Sequence, residues 1–172
     1  MFSPVRAMKI KNDKILNFIS NKNLKKFTNL SGDRDKSTDS YFCTHSFALS
    51  KKRVFYRPDK ERRPITRLPL QKITEKMGWS DDPEDEGKYN RIVELPYLYS
   101  HEKLWRNDDL YNIIVELGYN DKPPIRGRGS AIFMHLMAKD GSSTAGCISL
   151  RKNDLLQLIS MIEINEALEI KA

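Results

Sequence analysis

Gly127-Arg128-Gly129-Ser130-Ala131-Ile132-Phe133-Met134-His135-Leu136, followed after a polar stretch by Thr144-Ala145-Gly146-Cys147-Ile148-Ser149-Leu150, decides how the 172-residue chain is read. Ala131 to Leu136 is rich in residues that favour strands and is preceded by glycines that favour turns, so a strand ending near His135 is expected. Upstream, Leu110-Tyr111-Asn112-Ile113-Ile114-Val115-Glu116-Leu117 is a second run of this kind, closed by Gly118. Two adjacent strands joined by the loop 118–130 is the simplest arrangement. Downstream, Asn153-Asp154 stands ahead of Leu155, Leu156, Leu158, Ile159 and Ile162, whose spacing predicts a helix of about three turns directly after the cysteine. Ala167-Leu168-Glu169-Ile170 alternates like a last strand. Before this block, Phe42 to Tyr56 reads as a strand or hairpin ended by the turn Arg57-Pro58-Asp59. The stretch from Arg62 to Pro96 has few apolar residues and reads as a long loop, of the kind that carries function. The fold class is mainly β with one or two helices, an α+β domain.

Composition bounds what such a domain does. At 20.0 kDa the length fits one core, and 39% hydrophobic with 31% charged residues is the balance of a folded chain. The net charge of +7 is uneven: residues 1–72 hold 18 Lys and Arg against 6 Asp and Glu, and residues 73–172 hold 12 against 17. The division expected is a basic N-terminal extension over residues 1–40, with a weakly patterned helix from Met8 to Leu30 and a polar linker from Ser31 to Ser40, and a folded domain over residues 41–172. A basic tail attracts polyanions of any kind. The Lys22 to Lys26 run lacks the interleaved aromatics of a nucleic-acid surface, so no nucleic-acid partner is expected, and a solvated tail is the plainer reading. Two cysteines, Cys43 and Cys147, make no disulfide framework. Nothing approaches a membrane-spanning run, and Met1-Phe2-Ser3-Pro4-Val5-Arg6 opens no secretory signal. Cys43-Thr44-His45 has metal-ligand residue types without a second pair, so no metal is expected.

The chemistry-bearing residues are Cys147 and His135. A glycine directly before a nucleophile lets the backbone turn sharply and aim N–H groups inward, and a helix start nearby favours a thiolate. The connection 137–144 can fold back and bring an imidazole beside the sulfur, the minimum for an activated thiol. On residue types alone the bland reading is the commoner one: a cysteine beside Ile148 acting as a small buried hydrophobe, and a histidine satisfied at a strand end.

The segments 127–135 and 144–150, with Gly118-Tyr119-Asn120, resemble the YkuD L,D-transpeptidase catalytic domain, in particular a compact branch with a GxGSAIFxH segment. Tyr56-Arg57-Pro58-Asp59, Gly78-Trp79, Asp82-Pro83, Tyr89-Asn90-Arg91, Ser100-His101-Glu102 and Leu104-Trp105-Arg106 are similar to that branch too, so the resemblance runs from about Phe47 to Ile162. It implies a β-sandwich or barrel-like catalytic domain that works without metal or organic cofactor. It implies Cys147 as the nucleophile and His135 as its base, oriented by a main-chain carbonyl near Leu136 or Thr144. An oxyanion hole is implied around Gly146 and Cys147. His101, Tyr111, Asn120 and Arg151 are the substrate-binding candidates, and Arg57, Arg91, Arg126 and Arg128 are further cations able to grip a carboxylate. Trp105, Tyr111 and Phe133 could form a ligand platform, with core packing the plainer role for Phe133. The family's histidine before Gly-Cys is Ala145 here, and its arginine two residues after the cysteine is Ser149, leaving Arg151 the nearest cation. The activity implied is cysteine-dependent L,D-transpeptidation of peptidoglycan stem peptides, in the periplasm or cell envelope. An L,D-carboxypeptidase of the same mechanism, a non-catalytic envelope-binding remnant and a basic nucleic-acid-binding domain are the alternatives. The oligomeric state is not legible.

Overall fold

The computed structural model describes residues 7–10, 47–142, 144–164 and 167–171. Its centre is a seven-stranded sheet built on β2 (Phe47–Tyr56), β7 (Ile113–Leu117), β8 (Phe133–Leu136) and β9 (Ile148–Leu150). At one end β10 (Ala167–Lys171) pairs with the first half of β2, and β1 (Ala7–Ile10) pairs with β10. The short β3 (Leu70–Lys72) runs parallel to the second half of β2. A separate three-stranded antiparallel sheet holds β4 (Met77–Ser80) between β5 (Ile92–Glu94) and β6 (His101–Lys103). The architecture is mostly β with a single α-helix, α1 (Lys152–Met161), among the described residues.

Alternation on the strands sorts side chains onto two faces. On one face Ile113, Val115, Leu117, Met134, Leu136 and Ile148 pack with Leu155, Leu158 and Ile159 of α1. On the other, Phe55, Ile114 and Phe133 pack with Met77 and Trp79 of the small sheet, and Trp79 meets Phe133 edge-on at 5.0 Å. The large sheet is thus covered by a helix on one side and a small sheet on the other, with an apolar layer in each interface.

Several local expectations are revised. The stretch from Arg62 to Pro96 is no plain loop: it carries β3, β4 and β5, each of three or four residues, too short for an alternating pattern to register. The run from Leu110 opens as a 3-10 turn, Asp109–Tyr111, capped by Asp108, so strand geometry starts only at Ile113. Cys147 is followed by β9, and α1 starts at Lys152; its N-cap is Arg151, with no side-chain cap, while Asn153 and Asp154 lie inside the first turn. The helix is where the apolar spacing put it, but its N-terminus is not at the sulfur. Met8–Ile10 belongs to a strand where the sequence suggested a helix start; residues 11–46, including the linker and Cys43-Thr44-His45, lie outside the described residues.

Candidate active site

The parallel pairing of β8 with β9 places Met134 opposite Ile148 and His135 opposite Ser149. Cys147 directly precedes β9, so its extended backbone falls level with Phe133, and alternation puts it on the same face as His135, diagonally across from it. That face is the one the small sheet covers. A cavity of about 350 Å³ opens there, and both Cys147 and His135 line it, together with Tyr111, Glu102, Arg106 and Ala131.

Two backbone groups fix the sulfur: Phe133 N–H donates to Sγ (3.4 Å), and the thiol donates to Ala131 O (3.3 Å). Gly146, at φ 120°, turns the chain directly before Cys147, a conformation that suits a residue without Cβ. Thr144 Oγ1 donates to Cys147 O (2.5 Å) and closes this turn. Burial pushes the Cys147 thiol up to about 11; the Phe133 N–H works against that rise and the Glu102 charge adds to it. At neutral pH the group is therefore a thiol.

His135 is 4% exposed. Burial draws its pKa below the usual imidazole value; the Leu136 hydrogen bond and Asp108 oppose that shift, and Arg106 reinforces it. Its Nδ1 lies 2.8 Å from Leu136 O. A carbonyl can only accept, so the neutral ring carries its proton on Nδ1 and leaves Nε2 as a lone pair, the tautomer a general base requires. The Tyr111 ring lies edge-on to His135 at 5.3 Å and keeps the imidazole plane in place.

Arg106 sits above Tyr111, its guanidinium carbon 4.9 Å from the ring centre. Its fork is shared between two carboxylates, Glu102 (2.6 Å) and Asp108 (2.6 Å). The Asp108 hydrogen bond keeps the guanidinium firmly charged. Of these three charges Arg106 and Glu102 line the cavity, and Arg106 is stacked on the ring that borders the histidine.

The sequence candidates separate by position. Cys147, His135, Tyr111 and Thr144 line the cavity, and Gly146 forms the turn into it. His101 lies in β6 with Nδ1 2.8 Å from Tyr99 O, and it is the next residue, Glu102, that reaches the cavity. Asn120 is occupied in holding the 120–129 loop: it donates to Ile125 O and Gly129 O and accepts from Ile125 N. Arg151 borders a different cavity of about 370 Å³, beside Lys139, Asp140 and Lys152. Arg57 stacks on Trp105 at 3.6 Å and pairs with Asp59, while Arg91 pairs with Asp121 and Arg126 with Glu86. Phe133 packs in the core, the plainer of its two roles. Sequence reading passed over Glu102 and Arg106 as members of the site; Glu102 stands in a strand and Arg106 beyond its end, so no helical spacing marked the pair.

Among the described residues no group of three or more His, Cys, Asp or Glu is placed to hold a metal ion, and no helix is long and apolar enough to cross a membrane. The family model of the YkuD L,D-transpeptidase catalytic domain matches residues 9–170, nearly the whole chain. No curated protein and no solved structure matches.

Proposed function

We propose, from the premise that this chain belongs to the YkuD family of L,D-transpeptidase catalytic domains, that it is a cysteine acyltransferase working on peptidoglycan stem peptides at the cell envelope, with Cys147 as nucleophile and His135 as base. The observation that carries the reading is the placement of thiol and imidazole on one face of the sheet, lining one cavity, with the histidine tautomer set by Leu136 O.

The chemistry starts from two neutral groups. His135 Nε2 takes the thiol proton as Sγ attacks the peptide carbonyl of the donor stem, and the C–S bond forms while the carbonyl oxygen becomes an anion. Backbone N–H groups at Gly146 and Cys147 hold that oxygen, aided by the turn that φ 120° at Gly146 makes. As the intermediate collapses the C–N bond breaks, the leaving amine takes the proton from His135, and a terminal D-residue departs. An acceptor amine then loses its proton to Nε2 and attacks the thioester; the C–S bond breaks and the thiol is regenerated. Water in place of the amine gives carboxypeptidase chemistry by the same steps. Tyr111 borders the donor, and Arg106 with Glu102 sets the polarity of the wall it meets.

A carbapenem tests the nucleophile, because its strained carbonyl acylates an activated thiol and the adduct is read by mass. We expect one adduct on wild type, none on Cys147→Ala, and acylation slowed by on the order of a hundredfold or more in His135→Gln. A folded wild type that never gains the mass would refute the enzyme reading. Hydrolysis to the shortened stem, rather than a stem carrying the new terminal residue, when a D-amino acid is supplied as acceptor would mark the carboxypeptidase.

A further inference from the structure

Asn90 lies outside the cavity, in the turn between β4 and β5, and is buried with φ 57°. Asparagine is one of few residues with a Cβ that accept this left-handed region readily. Its side-chain amide is surrounded on both sides. Oδ1 accepts from two N–H groups, Trp79 Nε1 (3.0 Å) and Ala131 N (3.3 Å), with Ser130 Oγ 3.2 Å away. Nδ2 donates to two carbonyls, Tyr119 O (3.0 Å) and Asn120 O (2.7 Å). Two N–H donors on one side and two carbonyl acceptors on the other fix the amide orientation, since the flipped group would set its NH2 against donors.

Ala131 is the residue this amide holds next to the site. It has φ 55°, a left-handed conformation at a residue with neither the freedom of glycine nor the local bonding of asparagine. Ser130, before it, is tied to β4 by its hydroxyl bond to Ser80 O (2.8 Å). The carbonyl of Ala131 receives the Cys147 thiol. A continuous hydrogen-bonded path therefore runs from the small sheet through Asn90 and Ala131 to the sulfur.

We propose that Asn90 is a positioning residue for the nucleophile: by clamping Ala131 in its left-handed conformation it sets the carbonyl that holds the Cys147 thiol at the cavity. The inference rests on reading Cys147 as the nucleophile. The sulfur is located by two backbone groups, Phe133 N–H and Ala131 O, and the second moves if Ala131 relaxes. Attack requires the S–H to swing from Ala131 O to His135 Nε2, so the starting point of that swing is set by Asn90.

Two variants separate positioning from mere stability. Asn90→Gly keeps the left-handed backbone accessible and removes every amide contact. Asn90→Asp keeps an acceptor for Trp79 and Ala131 but turns an oxygen on the Tyr119 and Asn120 carbonyls, so its thermal stability falls at least as far. We expect carbapenem acylation of Cys147 to slow by about tenfold to a hundredfold in Asn90→Gly and by less in Asn90→Asp, the reverse of the stability ranking. Acylation that follows stability, or a wild-type rate in Asn90→Gly, overturns the proposal. A second arm does not depend on acyl transfer: iodoacetamide alkylation, read on the Cys147 peptide by mass from about pH 6 to pH 10. With Ala131 O displaced the thiol loses its acceptor, so the profile moves to lower pH in Asn90→Gly and does not in Asn90→Asp. If wild type takes no carbapenem but the profiles separate in this way, the acyltransferase reading fails and the positioning stands. If wild type is acylated and both profiles coincide with its own, the positioning fails and the acyltransferase reading stands.

Discussion

Cys147 and His135 meet the cavity as neutral groups, because burial disfavours the charged form of each: it raises the thiol to about 11 and lowers the imidazole. A preformed thiolate–imidazolium pair would alkylate at a rate that levels off near neutrality. Here the rate of Cys147 alkylation by iodoacetamide should keep climbing through about pH 9, following the small thiolate fraction. A plateau between about pH 6 and pH 8 would show that the pair is charged at rest. The acid side has the opposite origin. In the proposed mechanism the competent histidine is the neutral one, and a lowered pKa keeps it neutral to lower pH, so acylation should persist below the range in which an ordinary histidine is lost. At this scale the sequence was legible where residue type and glycine context coincide, as at Gly146-Cys147. It was opaque at Glu102 and Arg106, charged residues in a stretch without period, which reach the cavity only because β6 pairs with β4.

Elements were legible in proportion to their length and period. The ten-residue α1 repeats Leu155, Leu158, Ile159 on one side and β8 is an apolar run bounded by turns, and both fall where their patterns put them; β7 does so only from Ile113 on. β9 spans only Ile148–Leu150, and its neighbours gave no alternation long enough to distinguish it from the start of the helix. This difference moves the cysteine from a helix N-terminus to a strand edge and removes the helix dipole as a source of thiolate stabilisation. It also places α1 on the far side of the sheet from the cavity, where Leu155 is fully buried against Met134, Leu136 and Ile148. Leu155→Ala should cost about 2–5 kcal/mol by urea unfolding, the usual range for a leucine truncated in a packed core. The acylation rate of the folded fraction should stay close to wild type. A matching collapse of acylation in fully folded protein would mean that α1 reaches the site through the sheet.

Over the whole molecule, segments remote in sequence extend one end of the large sheet, with β1 pairing β10 and β10 pairing β2, a connection that no local pattern announces. The small sheet is more exposed to conditions, because a carboxylate organises its turn. Asp85 is 3% exposed. Burial pushes its carboxyl up, but hydrogen bonds from Ser80 and Tyr97 and from the Lys88 and Gly87 N–H groups outweigh that and hold it below the usual aspartate value. The Ser80 and Tyr97 hydroxyls donate to one oxygen at 2.6 and 2.7 Å. Ser80 O in turn receives Ser130 Oγ, so this turn supports the segment that leads to Ala131. A carboxyl depressed by folding contributes stability that is present above its unfolded value, about 3.9, and is lost as pH falls through the folded one. Asp85→Asn should therefore lower Tm most at neutral pH, with the gap to wild type closing as both are titrated below the unfolded value of about 3.9 and down through the folded one, where the wild-type carboxyl takes up its own proton. Thermal melts over that range check it, and a gap of equal size at both ends would assign the loss to shape rather than to the charge that the four donors hold.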